Sequence, residues 1–504
     1  MRKLMALLLT LALVIGLVPA AFAATHTLDI YWIANGDDET IRTGVENAIN
    51  AYLAELSKEK KIKAMEVKFH LVTWDPVWTE QAIGALMNDE KIDLIFTADW
   101  EGYSQEIEAG KLLPLGDLLE SDGQGILDTL SADFLEGIKV NGQIYGIPTN
   151  KELCVPSGII VNKTAAALIG WDPEKDPVST TEELEPYLAK YKALFPGRYP
   201  YLMEKDRWVD EPWGHEWIGL EEDVLSMKFA KDENGEFDET VYSIYETQEQ
   251  EDHIRLMYKW AQLGYISPDA ATWDYNAVFG TGDFLVFTQP LKGSNFKSLE
   301  MYGANKKAYV PDFECVEIVM QPKYKVTCQA GGSMFAIPKN SKEKNRAMQF
   351  LNLMHSDEKL VNLMLFGEEG VNYVKVDDQK VDLIEGASWY SLHGGAWTVG
   401  NTKLQYVLST EDPEKNAKLQ EYALDAPMTA SYGFRFDKKK AGETLEKVTK
   451  VVQKFARPLM VGAVDPDDPE LGLEAFRKAL KDAGIDDLKA EVEAQYEEWK
   501  ISLE

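Results

Sequence analysis

The chain has 504 residues, of which 45% are hydrophobic and 11% are aromatic, enough for a large core and for two domains or two lobes. Its formal net charge of −32 repels phosphate backbones and anionic lipid surfaces, so nucleic acid is excluded as an expected partner. Three cysteines are too few for a disulfide framework. A single bridge between Cys315 and Cys328 across a turn stays open at this point, beside the alternative of buried thiols.

Residues 1–23 have the organisation of a secretory signal peptide. A positively charged start precedes an apolar run over residues 4–18 and a small-x-small cleavage pattern at residues 21–23. A transmembrane anchor is the alternative, but the apolar run is short for a span and no stop-transfer pattern follows. We therefore expect export across the cytoplasmic membrane, to the periplasm or the cell surface, with no lipid-carrying cysteine near the cleavage site.

The first mature stretch alternates between two hydrophobic periods. Strand-like alternation covers residues 28–32 and 67–71, and a continuous apolar strand covers residues 93–97. Between them, apolar side chains recur every three to four residues over 41–56 and 77–87, which predicts two helices. A β-α-β-α-β order predicts a mostly parallel sheet, and such sheets bind ligands just beyond the carboxyl ends of their strands.

Carboxylates and tryptophans follow these three predicted strands. An exposed tryptophan face beside a hydrogen-bonding carboxylate suits a sugar ring, which has an apolar face and a hydroxyl rim. The aspartates have an ordinary alternative as helix N-caps. We predict ligand-binding roles for five residues at these strand ends, namely Asp37, Trp74, Asp75, Asp99 and Trp100.

Residues 140–163 predict a crossing between two α/β bodies. The Asn141-Gly142 pair predicts a hairpin turn, and an apolar run at residues 159–161 predicts a buried strand. Between them, two prolines that lack an N–H bracket a polar stretch that cannot continue a sheet. We interpret residues 149–153 as a hinge and predict that Lys151 and Glu152 on it contact the ligand.

Two later stretches are rich in tryptophan. Residues 208–217 combine tryptophans with acidic groups, and we predict that Trp213 lines a cleft. A metal site or an acid/base pair in this stretch is a weaker alternative because the histidine spacing of a zinc site is missing. Residues 388–405 have the glycine content of a binding loop, and we predict that Trp397 and Asn401 contact the ligand there.

Several stretches together resemble bacterial extracellular solute-binding proteins of family 1, the receptors that serve ATP-driven importers. The likeness is carried by LIFTADWEGYSQEIEAGKLLPL at 94–115, FLEGIKVNGQIYGIPTNKE at 134–152 and the run from Gly331 to Met354. The ending from residue 431 resembles a subgroup with a C-terminal domain of unknown function. Members of that subgroup are usually lipid-anchored, and this sequence departs from them because it lacks the anchoring cysteine.

The resemblance implies an α/β, two-lobe fold of the periplasmic-binding-protein type II class, with mostly parallel central sheets, a hinge and a helical C-terminal extension. We expect lobe I to comprise residues 25–150 and 304–340, and lobe II residues 151–303 and 341–504. The resemblance further implies no catalysis and no cofactor or metal. Its expected partners are a small-molecule or oligosaccharide ligand and the permease subunits of an importer, and we expect a monomer.

Three functions remain open on the sequence. The leading hypothesis is capture of a carbohydrate, and a binding protein for peptides or another polar solute would share the fold. A secreted glycoside hydrolase would also be aromatic and acidic, but it needs two carboxylates placed across a cleft, and no pair stands out. The six histidines form no recognisable triad or metal cluster in the sequence.

Overall fold

The computed structural model describes residues 26–154, 156–203, 214–218, 224–229, 231–272, 282–291, 315–321 and 323–503. The predicted signal peptide and Trp213 lie outside these residues. The described strands are β1 (Thr27–Ala34), β2 (Glu66–Thr73), β3 (Leu94–Thr97), β4 (Gly146–Pro148), β5 (Ser157–Asn162), β6 (Tyr201–Leu202), β7 (His215–Trp217), β8 (Leu225–Lys228), β9 (Tyr242–Ser243), β10 (Val286–Pro290), β11 (Cys315–Val319), β12 (Met334–Ala336), β13 (Tyr373–Lys375), β14 (Lys380–Leu383) and β15 (Val407–Leu408).

Helices connect these strands and cover the sheets. They are α1 (Glu39–Lys58), α2 (Gly84–Met87), α3 (Tyr103–Glu108), α4 (Gly116–Asp122), α5 (Gln124–Thr129), α6 (Ala132–Gly137), α7 (Lys163–Leu168), α8 (Glu185–Leu194), α9 (Gln248–Gln262), α10 (Thr327–Ala330), α11 (Lys344–Ser356), α12 (Glu358–Phe366), α13 (Lys415–Leu424), α14 (Lys438–Met460), α15 (Leu473–Ala483) and α16 (Ile485–Leu503). A π-helical turn, Thr79–Ile83, leads into α2.

The first sheet has the strand order β2-β1-β3-β12-β4. Strands β1, β2 and β3 are parallel, as the alternation of strand and helix patterns predicts, and β1 pairs with β2 along its whole length. Strand β12 enters from far along the chain and runs antiparallel to both β3 and β4. The carboxyl ends of β1, β2 and β3 therefore meet at one edge of this sheet.

The second sheet has the order β11-β5-β10-β6. Its β5 pairs antiparallel with both β10 and β11, and only β10 and β6 run parallel. This pairing differs from the mostly parallel arrangement expected for both sheets. Helices α7 to α9 cover it, with Tyr191 and Trp260 fully buried in its core.

The first core extends farther along the chain than the expected lobe boundary. Helices α11 and α12 and the loop around Trp389 bury their apolar side chains in the core of the first sheet. Helix α11 lies against α4 and α5, and α12 lies against α1. The segment from 341 to about 408 thus packs with the first sheet, whereas the expected division placed residues 341–504 in lobe II. Helix periodicity identifies a buried face but does not identify the sheet that covers it.

A third core is built from the C-terminal helices. Helices α14, α15 and α16 pack together and against the small antiparallel sheet of β7, β8 and β9. The apolar face of α14 is buried at Leu445, Val448, Val452 and Phe455. Within the described part of the chain, no helix is long and apolar enough to cross a membrane.

Candidate functional site

Three tryptophans gather at the carboxyl edge of the first sheet, which we call the tryptophan cluster: Trp74, Trp100 and Trp397. Trp74 stacks on Trp100 with ring centroids 6.0 Å apart and on Trp397 at 6.2 Å, with interplanar angles of 27° and 24°. Trp100 and Trp397 are also 6.2 Å apart. Trp74 is 38% exposed and Trp100 is 50% exposed, so the cluster presents apolar ring surface to solvent.

Hydrogen bonds of the indole N–H groups hold two of these rings in place. Trp74 donates to the side-chain oxygen of Asn35, which follows β1, at 3.0 Å. Trp100 donates to the carbonyl oxygen of Gly332 at 2.9 Å. Because each polar atom is already engaged by the protein, the exposed part of each ring is an apolar surface of fixed orientation, which is suited to stacking.

Trp397 packs against the first core, whereas the expected division placed it in lobe II. Its ring stands edge-on to the buried Phe96 of β3, with centroids 5.8 Å apart. The loop before it contains Gly395, whose φ of 112° lies in the left-handed region that favours glycine. Trp74 and Trp397 are therefore on one wall of the site.

The predicted carboxylates at the strand ends are engaged within the protein. Asp37 is exposed and pairs with Arg42 at 2.8 Å. Asp75 accepts hydrogen bonds from the backbone N–H and the hydroxyl of Thr79, at 3.0 and 2.7 Å, which tie its carboxylate to the start of the following helical turn. At this edge, Trp74 and Trp100 expose ring surface, whereas the side chains of Asp37 and Asp75 are engaged by protein groups.

Asp99 is held by an arginine from the C-terminal segment. Arg435 Nε and Nη2 donate to the two carboxylate oxygens of Asp99 at 3.0 and 2.9 Å. Arg435 also donates to the carbonyl oxygens of Gly137 and Lys139, at 2.6 and 3.0 Å. Such a bidentate pair fixes both groups, so it orients the turn that carries Trp100. Sequence reasoning missed Arg435 because nothing local marks its partner, 336 positions away.

Two carboxyl groups that follow Trp100 in the chain have raised pKa values. Burial, with the nearby charge of Asp75, raises the pKa of Glu101 to about 7. Burial raises the pKa of Glu106, on α3, to about 8. Each shift reflects the cost of placing a charge in a poorly solvated environment. The aromatic edge is therefore less negative near neutral pH than its sequence indicates.

The predicted hinge residues lie in a buried connection between the two sheets. Lys151 and Glu152 are both 8% exposed, and the Lys151 ammonium donates to the side-chain oxygen of Gln329 at 3.2 Å. Asn401 is 3% exposed, and its amide bonds Asn150 at 3.0 Å and the carbonyl oxygen of His355 at 3.1 Å. Asn401 thus ties the connection to the first core, and the structure does not bring it to the tryptophan cluster.

The acidic stretch proposed as an acid/base or metal alternative is described only from residue 214. His215 is buried and contacts the Ser226 hydroxyl at 3.0 Å, and burial lowers its pKa. Glu216 is buried and bonds the hydroxyl of Ser431, and burial raises its pKa. Among the described residues, no group of three or more histidine, cysteine or acidic side chains could hold a metal ion. The three cysteines are thiols, with Cys315 buried and Cys328 exposed.

Two α/β bodies with an aromatic wall at a sheet edge define a two-lobe ligand-binding protein. The family model for bacterial extracellular solute-binding proteins matches residues 28–367, and a domain of unknown function (DUF3502) matches residues 430–501. The chain belongs to this bacterial extracellular solute-binding protein family.

Known proteins resemble the chain over most of its length. A carbohydrate ABC transporter substrate-binding protein of Streptococcus pneumoniae serotype 4 is 24% identical over 415 residues, covering 81% of this chain and 80% of the relative. The solved N-glycan transport solute-binding protein NgtS of Streptococcus pneumoniae, in complex with Man1GlcNAc, has a TM-score of 0.73 at 20% identity and covers 94% of this chain and 99% of its own. The alginate-binding protein AlgQ2 has a TM-score of 0.61 at 16% identity, covering 94% and 98%. These solved structures share the two-lobe fold.

Proposed function

We propose that the protein captures an oligosaccharide outside the cytoplasmic membrane and delivers it to the permease of an ABC importer. The tryptophan cluster is the observation that carries this proposal. Its three rings form an oriented, partly exposed apolar wall at the sheet edge where α/β proteins bind ligands. Pyranose rings pair an apolar face with a polar rim, and such a wall binds the apolar face.

The names of similar proteins support a carbohydrate over a peptide. The curated relative is called a carbohydrate ABC transporter substrate-binding protein, and NgtS was solved with Man1GlcNAc and with Man5GlcNAc. AlgQ2 is described as binding alginate. We infer that Trp74, Trp100 and Trp397 are the stacking residues in this chain, and Trp213 stays a prediction outside the described residues.

The proposal includes no turnover of the ligand. The family is one of binding proteins and not of enzymes, and the candidate acid and base of the 208–217 stretch are engaged where they are described. We further propose a monomer that is exported to the periplasm or the cell surface and that meets the permease subunits there.

A glycan array tests this function. The fluorescently labelled mature protein is applied to an array of oligosaccharides and, in parallel, to a peptide library. We expect binding to a set of related glycans, confirmed by calorimetry with the free glycan, and no binding to peptides. Binding to peptides alone, or to neither library, would refute the carbohydrate assignment.

A further inference from the structure

A cavity of about 90 Å³ lies where the first core meets the C-terminal domain. Helix α3 of the first core contributes Ser104 and Gln105, and β7 contributes Trp217. The segment that leads into α14 contributes Phe434 and Phe436. The cavity is therefore completed by the domain of unknown function, and it would lack a wall without residues 430–439.

The cavity and the tryptophan cluster flank the same glycine turn. The backbone N–H of Asp99, which lines the cavity, donates to the carbonyl oxygen of Gly331 at 2.8 Å. The indole of Trp100, the next residue, donates to Gly332 at 2.9 Å. The same turn therefore holds one residue of the cavity wall and one ring of the tryptophan cluster.

The charged pair in the cavity wall is already satisfied. Asp99 and Arg435 bond each other twice, and Arg435 also bonds two backbone carbonyl oxygens. Neither group needs a ligand to balance its charge, so the pair makes a rigid wall and does not select a charged ligand. The other charged side chains of the lining are engaged as well: Glu108 pairs with Lys439 at 2.8 Å, Glu216 accepts a hydrogen bond from the Ser431 hydroxyl, and Lys438 has a partner of its own. Selection therefore falls to the uncharged side chains.

Those side chains combine flat apolar surface with one amide and with the hydroxyls of Ser104, Thr327 and Ser431. Trp217, Phe434 and Phe436 line the cavity with aromatic carbon, whereas the side-chain amide of Gln105 has no hydrogen-bond partner among the described residues. A side-chain amide offers both an N–H donor and a carbonyl acceptor. The cavity volume suits a substituent or the edge of one sugar ring, and not an extended glycan.

We propose that this junction cavity binds the acetamido group of an N-acetylhexosamine unit, with its methyl against the aromatic side chains and its amide against Gln105. An acetamido group has one apolar methyl, one N–H and one carbonyl, which matches this lining. A hydroxyl at the same ring position would leave the aromatic surface uncovered and satisfy the Gln105 amide less completely. The inference rests on the proposed oligosaccharide function and assigns a ligand-binding role to the C-terminal domain.

Cys328 reports on occupancy of the cavity. It lines the cavity and is exposed, whereas Cys154 and Cys315 are buried. Burial also raises the pKa of the Cys154 thiol to about 11 and that of the Cys315 thiol well above its usual range, which keeps both unreactive. A maleimide reagent at neutral pH therefore labels Cys328 selectively, and a Cys328→Ser variant verifies this.

Two disaccharides that differ only in the group at issue test the proposal. N,N′-diacetylchitobiose carries acetamido groups where cellobiose carries hydroxyls, and both are titrated into the mature protein by calorimetry. We expect the diacetyl sugar to bind about tenfold more tightly, the effect of one well-placed amide contact with its methyl burial. At equal occupancy, it is expected to slow maleimide labelling of Cys328 more than cellobiose does.

A Gln105→Leu variant removes the amide and keeps the side-chain size. We expect its preference for the diacetyl sugar to fall below about twofold. Gln124→Leu is the matched control, because Gln124 is an exposed glutamine on α5 that bonds Asp128. Its preference is expected to equal that of the parent.

Each contrary result overturns the inference. The acetamido subsite would be refuted by equal affinity for the two sugars or by no binding of either sugar. It would also be refuted if Gln105→Leu and Gln124→Leu had the same effect on the preference. A protein that still binds glycans on the array retains the proposed function in all of these cases. A protein that binds no glycan on the array loses both.

Discussion

Replacement of Trp100 by alanine is expected to weaken glycan binding about thirtyfold while leaving the protein folded. A tryptophan side chain buries up to about 250 Å² when fully covered, and Trp100 is 50% exposed. At about 25 cal/mol per Å², covering that exposed half is worth about 3 kcal/mol. A sugar covers only part of the face and must be ordered, so about 2 kcal/mol remains, or about thirtyfold in Kd.

Trp389 provides the matched control. It lies in the same core but is fully buried, and its indole N–H donates to the carbonyl oxygen of Met364 at 2.7 Å. Trp389→Phe removes that bond and leaves a cavity, so we expect a lower Tm and an unchanged Kd for a glycan confirmed on the array.

Calorimetry and thermal melting of both variants separate the two roles. We expect Trp100→Ala to lose affinity with little change in Tm, and Trp389→Phe to lower Tm with little change in affinity. If Trp100→Ala binds the confirmed glycan as tightly as the parent, the stacking role of the cluster is refuted. If the Tm of Trp100→Ala falls as far as that of Trp389→Phe, Trp100 is a core residue, and its exposed half is not a binding surface.

Arg435→Met leaves the Asp99 carboxylate without its buried partner, so we expect a loss of about 3–5 kcal/mol in stability, measured as a lower Tm. Adding Asp99→Asn is expected to recover part of this loss. An unchanged Tm in Arg435→Met would show that the pair does not contribute to stability. Burial raises the pKa of Glu106 from its ordinary 4.5 to about 8, so this residue lowers the stability of the folded protein as pH rises between those two values. The Tm of Glu106→Gln is therefore expected to exceed that of the parent by an amount that grows across this pH window. A Tm difference that does not change with pH would contradict the burial of Glu106. Small-angle scattering is expected to show a smaller radius of gyration with a saturating glycan, and an unchanged value would exclude a cleft that closes.

Local hydrophobic pattern was sufficient to predict the first three strands and the helices between them. The β-α-β-α-β order follows from side-chain period, and the parallel sheet then follows from the connections. Because a parallel sheet brings its carboxyl ends together, Trp74 and Trp100 could be predicted to lie near each other, and their rings stack.

The other contacts of the site depend on packing between distant segments. Trp397 was predicted to bind ligand from lobe II, but its ring stacks beside Trp74 because α11 and α12 return the chain to the first core. Asn401 was predicted to contact the ligand from a glycine-rich loop, yet it is buried against Asn150, 251 positions away. The partner of a polar side chain decides whether that side chain is available to a ligand, and no local pattern identifies the partner.

The central claim is that the protein binds an intact oligosaccharide and releases it unchanged. Native mass spectrometry of the mature protein, after incubation with a glycan confirmed on the array, tests this most directly. We expect one intact glycan per protein chain, and the same glycan mass in solution after prolonged incubation. Hydrolysis products in solution that disappear in a Glu216→Gln variant would contradict the claim and favour the glycoside hydrolase alternative.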